Sequence, residues 1–472
     1  MTRTWNQEND DTLWASTQTY LKKLTEKDTG FGLELFVTPV CNQKCEYCYL
    51  VNNADKLYPR DIRNEELILK NLDILIDFLI ENDTVPRQLD LFSGEIWDTP
   101  FGAKVLKKLL RLVQCNTSTK VEHLTIPTNF SFITNDAARA MIEKYIDAFK
   151  FYGATFSLSC SYDGPMIENV NRPFNNQKGR IDKGTQEYAD LLFDWCKKQS
   201  FGFHPMVNAY SIEQWPQQIK WWIDQLVKYD LNLYNYTMFL EVRNNEWTDD
   251  KIAAYLKYLN TFIDYSLEKV HHNDIENFMR HVCNLHLGEC NEQHKAKNYN
   301  AMGFTVGCKS KGCSVDRMMC VRLGDLAWAP CHRVSYEKLL YGRFKVNENN
   351  KITGIQALNI PMFVAINSLT YKGHIKCDIC PIRQICMRGC YGAQLEDSKE
   401  IFYPCDTVCE LFMAKWLFLK EKYKQLYFTN PTITPSDAVT QHYNQMCTMI
   451  NNIDKEKQNK WTPIILKTLS ES

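Results

Sequence analysis

Between Leu33 and Val242, short apolar runs alternate with stretches whose apolar residues recur at helical spacing, and this alternation restricts the chain to few folds. Strands are predicted at Leu33–Val40, Gln88–Gly94, His123–Asn129, Thr155–Tyr162, Phe203–Asn208 and Leu233–Val242. Between them, Leu67, Leu72, Leu75, Ile76 and Leu79 share one helix face. Leu106, Leu109, Leu110 and Val113 share another, and Ile219, Trp222, Ile223 and Leu226 a third. Thr99-Pro100 reads as an N-cap followed by an N1 proline, and Ser211 with Gln214 as a capping box. Six strand–helix repeats in succession imply an α/β fold, a parallel sheet with helices outside it. In such sheets ligands bind beyond the C-terminal ends of the strands.

One of those ends carries Cys41-Asn-Gln-Lys-Cys45-Glu-Tyr-Cys48. Three thiols spaced C-x3-C-x2-C on one loop make a metal site. Zinc sites usually pair two separated knuckles, and ferredoxin runs supply four cysteines. Three ligands on an iron–sulfur cube leave one iron open to a small molecule. The competing reading is structural zinc.

The motif, with aromatic Tyr47 before its last cysteine, resembles that of the radical S-adenosylmethionine (SAM) enzymes. The resemblance implies a partial (β/α)6 barrel over residues 31–245, and a [4Fe-4S] cluster on Cys41, Cys45 and Cys48 whose open iron chelates SAM. Reduction then yields a 5′-deoxyadenosyl radical that abstracts a substrate hydrogen. Ser93-Gly94-Glu95 resembles the family's Gly-Gly-Glu motif, with serine for the first glycine, and implies a carboxylate for the SAM ammonium. Asn129 ends the third strand. The Ser-x-Asp-Gly-Pro run holding Ser161, after Ser159, resembles the fourth-strand motif of the peptide-modifying branch, and either serine is a ribose contact. Arg172, or Arg180, is a partner for the SAM carboxylate.

Cytoplasmic chains rarely keep disulfides, so nineteen cysteines argue for more metal than one loop can hold. Cys377, Cys380, Cys386 and Cys390 are spaced C-x2-C-x5-C-x3-C. This run resembles the SPASM domain, the small cysteine-rich C-terminal module of radical SAM enzymes that mature peptides and proteins. The resemblance implies two auxiliary [4Fe-4S] clusters over residues 301–410. One would use Cys308, Cys313, Cys331 and Cys390. The other would use Cys377, Cys380, Cys386 and one of Cys405 and Cys409, Cys409 being favoured by the helix expected to open at Glu410. Gly324 stands farther from Cys331 than the family pattern has it, and nearby Cys320 is an alternative ligand to Cys308. Zinc is the competing metal here as well.

Residues 1–30 read as a helical lead-in with Trp5, Trp14 and Tyr20 on one side, 246–300 as a helical linker, and 411–472 as a helical tail. Within the tail, Leu411–Phe428 is amphipathic, with Lys415, Lys420 and Lys424 opposite Trp416, Leu417 and Leu419. A net charge of −1 with no basic block argues against nucleic acid. The polar start and the lack of a long apolar run argue against a signal peptide or membrane span, so a cytoplasmic location is expected.

The function implied is oxidative modification of a peptide or protein side chain, such as a crosslink or thioether in a ribosomal peptide. An electron donor such as flavodoxin or ferredoxin would be needed. The lead-in is too short for a fused leader-binding domain, so either a separate recognition protein or direct recognition by the C-terminal half is expected. Sulfatase-maturing relatives have aspartate after the cysteine matching Cys331. Here His332 stands there, a candidate base, and formylglycine formation is disfavoured. The alternatives are radical oxidation of a small molecule and a non-catalytic iron–sulfur carrier.

Overall fold

The computed structural model describes residues 5–27, 30–176, 181–231, 239–269, 315, 318–368, 375–382, 390–429, 434–435 and 437–471. The described strands are β1 (Gly32–Phe36), β2 (Gln88–Phe92), β3 (His123–Thr128), β4 (Thr155–Cys160), β5 (Gly202–Phe203), β6 (Met206–Val207), β7 (Leu240–Glu241), β8 (Met318–Arg322), β9 (Ala327–Ala329), β10 (Gly342–Val346) and β11 (Ile352–Ala357). The chain divides into two units. The first comprises Met1–Tyr162, Arg172–His204 and Ser314–Ser368, and the second Asp163–Asn171, Pro205–Cys313 and Leu369–Ser472.

The first unit is built on a sheet ordered β11-β10-β9-β8-β1-β2-β3-β4-β5. From β8 through β5 the neighbours are parallel. From β8 to β11 they are antiparallel. The first four predicted strands are present, shortened at their C-terminal ends because those residues turn into the loops that carry the site. Residues 318–357 show no clear periodicity in the sequence and are expected within the cysteine-rich module. Their four strands instead extend the sheet that contains β1.

The predicted strand Phe203–Asn208 is corrected to two short pieces. His204 N still donates to Cys160 O (2.7 Å), but Pro205 has no N–H to continue the ladder, and β6 pairs with β7 instead. Of the sixth predicted strand, residues 233–238 lie outside the described residues, and β7 is its end.

The sheet has two chemically distinct faces. Leu33, Leu35, Leu89, Leu91, Leu124, Ile126 and Leu158 are all buried, on the face where period-2 alternation places them. Helices Glu65–Glu81 and Pro100–Leu109 bury Leu72, Leu75, Leu79, Leu106 and Leu109. Asn64 and Thr99 cap them, Thr99 before an N1 proline as the sequence indicated. Helix Trp5–Thr25 sets Trp14 near Phe78 and Tyr20 against Phe31 and Trp328; the Trp5 side chain lies outside the described residues.

The second unit is mainly helical, with Trp215–Lys228, Asp249–Lys269, Asp406–Tyr423, Asp437–Ile450 and Lys455–Ser470. The Ser211–Gln214 capping box does not form. Asn208 is the cap, accepting from Ser211 N at 3.1 Å, and a short 3-10 turn precedes the helix at Trp215. The helix after Cys405 is not amphipathic as expected, because Lys415 and Lys422 are buried. Lys422 meets Asn260 (2.9 Å) and Asp264 (2.5 Å). Lys415 Nζ lies 2.6 Å from Glu241 Oε1, which also accepts from Tyr255 OH at 2.5 Å. A buried lysine is tolerated only when such acceptors meet it. No helix among the described residues is long and apolar enough to cross a membrane.

Burial alone would raise the Glu241 carboxyl, but Lys415 and Tyr255 hold it below its ordinary 4.5. Its contribution to stability is therefore present above 4.5 and is lost as pH falls through the lowered value. Lys415→Met should cost about 3–5 kcal/mol in denaturant unfolding of the second unit, because it strands a buried carboxylate. It should also move the acid-unfolding midpoint to higher pH.

Candidate functional site

The loop after β1 turns back across the end of the sheet, and its thiols open onto a cavity of about 380 Å³. Cys41, Cys45 and Cys48 line it, with Ser93, Gly94 and Glu95 after β2, Asn129 after β3, Ser161 after β4, and Arg172. Every one of these positions follows the C-terminal end of a parallel strand or, for Arg172, the segment beyond β4. Among the described residues no fourth cysteine and no histidine lines the cavity. Nor do three such side chains already close on a single-ion point.

The loop lies flat on the sheet end because residue 94 is glycine. A Cβ there would stand 1.9 Å from Val40 O and 2.9 Å from Cys41 N. Gly94 N donates to Thr38 O at 2.7 Å, and Ser93 Oγ to the same carbonyl at 3.3 Å. An extended strap, Arg172–Asn175, closes the other side. Lys44 N donates to Pro173 O (2.8 Å), Asn175 N to Asn42 O (2.9 Å), and Asn175 Nδ2 to Cys41 O (3.0 Å). Gln43 Nε2 donates to Arg172 O at 2.8 Å.

The sulfurs are set up for negative charge. Gln43 N lies 3.5 Å from Cys41 Sγ, and the Glu95 N–H also points at that sulfur. Cys48 is the N-cap residue of helix Tyr49–Leu57, so its sulfur lies at the end where the helix leaves N–H groups unpaired. Burial nevertheless pushes the Cys41 thiol up to about 11 and raises that of Cys48, which Arg172 and Arg333 counter in part. Three cysteines on one loop, facing one cavity, are a donor set that suits a thiolate-held metal centre.

Glu95 anchors a polar chain beside them. Its Oε2 accepts from Asn129 N (2.6 Å) and Thr128 Oγ1 (2.8 Å), and burial raises its carboxyl to about 7. Asn129 Nδ2 donates to Asn42 Oδ1 (2.7 Å), and Asn42 Nδ2 donates to Ser131 Oγ (2.7 Å) and Asp98 Oδ2 (3.2 Å). The Arg172 guanidinium sits 5.1 Å from the Tyr47 ring centroid.

Tyr47 therefore supports Arg172 and is not among the lining residues, and Ser159 is not among them either. Between the two serines the cavity takes Ser161, which lies past the end of β4. Arg180 lies outside the described residues. In the second unit, Asp163 of the Ser-x-Asp-Gly-Pro run is buried, bonded to Asn171 (3.0 Å) and Met206 N (2.8 Å). That motif residue is structural. Sequence reading missed Asn42, Gln43, Thr128 and the strap residue Asn175. Asn42 and Gln43 sat inside the cysteine motif, whereas Asn175 carried no motif.

His332 does not line the cavity. Its ring stacks on Phe92, a lining residue, at 3.6 Å, and both its N–H and Nδ1 meet Glu34, each at 2.9 Å. Cys320 also bonds the Glu34 carboxylate, beside Cys331. Cys308, Cys313 and Cys386 lie outside the described residues. In the second unit Cys380 N donates to Cys377 O (3.2 Å), and Cys390 caps the helix Tyr391–Ser398. The helix expected at Glu410 starts at Asp406 with Cys405 as its cap, which removes the reason for favouring Cys409.

A parallel sheet with a three-cysteine loop at its C-terminal edge defines a chain of radical SAM fold. Among solved structures it is similar to hexahistidine-tagged anSMEcpe with bound AdoMet, at 15% identity and a TM-score of 0.51, covering 91% of this chain and 98% of that one. Native anSMEcpe with bound AdoMet matches at 13% identity and a TM-score of 0.48, covering 89% and 100%. No protein-family model and no curated protein matches the sequence.

Gly94→Ala should cost about 3 kcal/mol or more and strip iron from reconstituted protein, because the added methyl displaces the Val40–Cys41 backbone. Gly354→Ala, where the methyl meets nothing within 4 Å, should leave both unchanged. Denaturant midpoints and iron analysis read the difference.

Proposed function

We propose that this chain is a radical SAM enzyme that performs an oxidative modification on a peptide or protein side chain. The observation carrying this reading is the convergence of Cys41, Cys45, Cys48, Gly94, Glu95, Ser161 and Arg172 on one cavity, from loops far apart in sequence. A [4Fe-4S] cluster held by the three cysteines would supply the reductive cleavage of SAM to methionine and a 5′-deoxyadenosyl radical.

The chain's own groups then have definable tasks. Glycine at 94 lets the cysteine loop lie against the loop after β2, which sets the thiols beside Glu95. The Glu95 carboxylate receives an ammonium, and that cation draws the carboxyl back toward its ordinary range. Arg172, held over Tyr47, faces a carboxylate, and Ser161 a ribose hydroxyl. Strap Arg172–Asn175 covers the loop and limits water at the reacting centre.

The cysteines beyond residue 300 support the peptide-modifying branch. In this reading Cys308, Cys313, Cys331 and Cys390 hold one auxiliary cluster, and Cys377, Cys380, Cys386 and either Cys405 or Cys409 another. A cytoplasmic location, a flavodoxin- or ferredoxin-type electron donor and a separate peptide-recognition protein belong to the same reading.

Anaerobically reconstituted protein given SAM and a reductant should release 5′-deoxyadenosine. Cys41→Ala, Cys45→Ala and Cys48→Ala, made together, should reduce that release at least about a hundredfold. Release that persists would place the chemistry elsewhere. Mass spectrometry of a co-expressed candidate peptide, with and without Cys386→Ala, tests the substrate class. The variant should still cleave SAM but leave the peptide unmodified.

A further inference from the structure

We propose that Lys183 is a positioning residue of the cysteine cavity, an internal tie that holds the turn after β3 and the Arg172–Asn175 strap in register. The inference rests on the reading of the cavity as a SAM site. Lys183 is 1% exposed, and its Nζ donates to Asn129 O at 2.9 Å. Three rings surround the ammonium, those of Phe174 at 5.7 Å, Tyr188 at 5.6 Å and Tyr162 at 6.0 Å. Its own backbone is fixed, because Tyr162 OH donates to Lys183 O at 3.1 Å.

A buried ammonium is costly, and aromatic faces with a carbonyl are the groups that make it tolerable. What those groups belong to gives the arrangement its meaning. Asn129 is the residue whose N–H holds Glu95 (2.6 Å) and whose side chain holds Asn42 within the cysteine loop (2.7 Å). Phe174 is the strap residue that bridges Gln43. One cation thus joins the carboxylate side of the cavity to the strap that carries Arg172. A neutral side chain of the same length fills the space but draws neither the carbonyl nor the rings inward. Lys183 itself is not among the lining residues, so it acts through Asn129 and Phe174.

The test uses the full chain with its clusters reconstituted, in wild-type, Lys183→Met and Lys183→Arg forms. Hydrogen exchange without SAM judges the tie alone. In Lys183→Met the amides of Lys44, Asn129 and Asn175 should exchange at least about tenfold faster, while those of β1 and β2 stay unchanged. Equilibrium dialysis should show SAM affinity about tenfold weaker, with 5′-deoxyadenosine formation at saturating SAM within about twofold of wild type. Lys183→Arg, which keeps the charge, should recover most of the affinity.

Unchanged exchange in Lys183→Met overturns the proposal, as does a turnover defect at saturating SAM with unaltered affinity. If Lys183→Met does not fold, Phe174→Leu takes its place. It should accelerate the Lys44 and Asn175 amides in the same way, and failure to do so is equally fatal. Wild-type protein that binds no SAM would instead refute the reading of the cavity and leave the exchange arm to decide the role of Lys183.

Discussion

The backbone contact between residue 94 and Val40–Cys41 is the constraint on which the site depends. A loop carrying three thiols must lie against the sheet end, and a Cβ at 94 would collide with its backbone at Val40 O, 1.9 Å away. With glycine there, Gly94 N and Ser93 Oγ both reach Thr38 O, so the loop after β1 and the loop after β2 are joined before any ligand arrives. That places the Glu95 N–H at the Cys41 sulfur and brings the Glu95 carboxylate to the turn after β3. The order of consequences runs from one absent methyl, through two shared carbonyl bonds, to the relative placement of thiols and carboxylate.

Such a site holds many polar groups out of water, and each needs a partner. The chain answers with hydrogen bonds that pass between loops. Glu95, Asn129, Asn42, Ser131 and Asp98 form a continuous series, and Gln43 and Asn175 tie the strap to the cysteine loop. Networks of this kind are rigid when complete. Rigidity is what a cavity needs when it must present one pose of a flexible ligand to one reactive point. Most of these residues donate and accept within the protein and so hold the wall, and Glu95, Ser161 and Arg172 are among the side chains that line the cavity.

Much of this was legible because its signals are local. The first four strand periods, the Thr99-Pro100 cap and the cysteine spacing each occupy a few consecutive residues, and the four strands and the cap appear in the structure. What was not legible depends on contacts distant in sequence. Asn175 acquires its role only when folding brings it to Cys41, 134 residues away. The strands of residues 318–357 gave no clear periodicity, since β8 and β9 are buried on nearly every side chain and so show no alternation. Lys415 belongs to the face expected to be solvated, and only the fold brings Glu241 opposite it. The split of the fifth strand was written in Pro205, and its missing N–H was simply passed over.

The first strand was read as wholly apolar, yet Glu34 sits in its middle, and the register shows why that matters. Glu34 pairs with Cys320 on β8 and with Asp90 on β2; Asp90 pairs with Thr125, and Thr125 with Ser157. Neighbours in register point to the same side, so these five form a polar row across one face of the sheet. The opposite face is the buried leucine layer. A parallel sheet covered by helices on both sides would be apolar on both. A polar row therefore marks a face that does not pack as a hydrocarbon core. Two residues on from Asp90 and Thr125 along their strands, Phe92 and Pro127 line the cysteine cavity, so row and cavity share one wall. Carboxylates side by side would repel, and the structure separates their chemistry. His332 and Cys320 hold Glu34 below its ordinary range despite burial, whereas burial leaves Asp90 raised to about 6. The wall beneath the cavity thus holds two carboxyls in different environments, one kept low by His332 and one raised by burial, a division that a uniformly apolar lining could not provide.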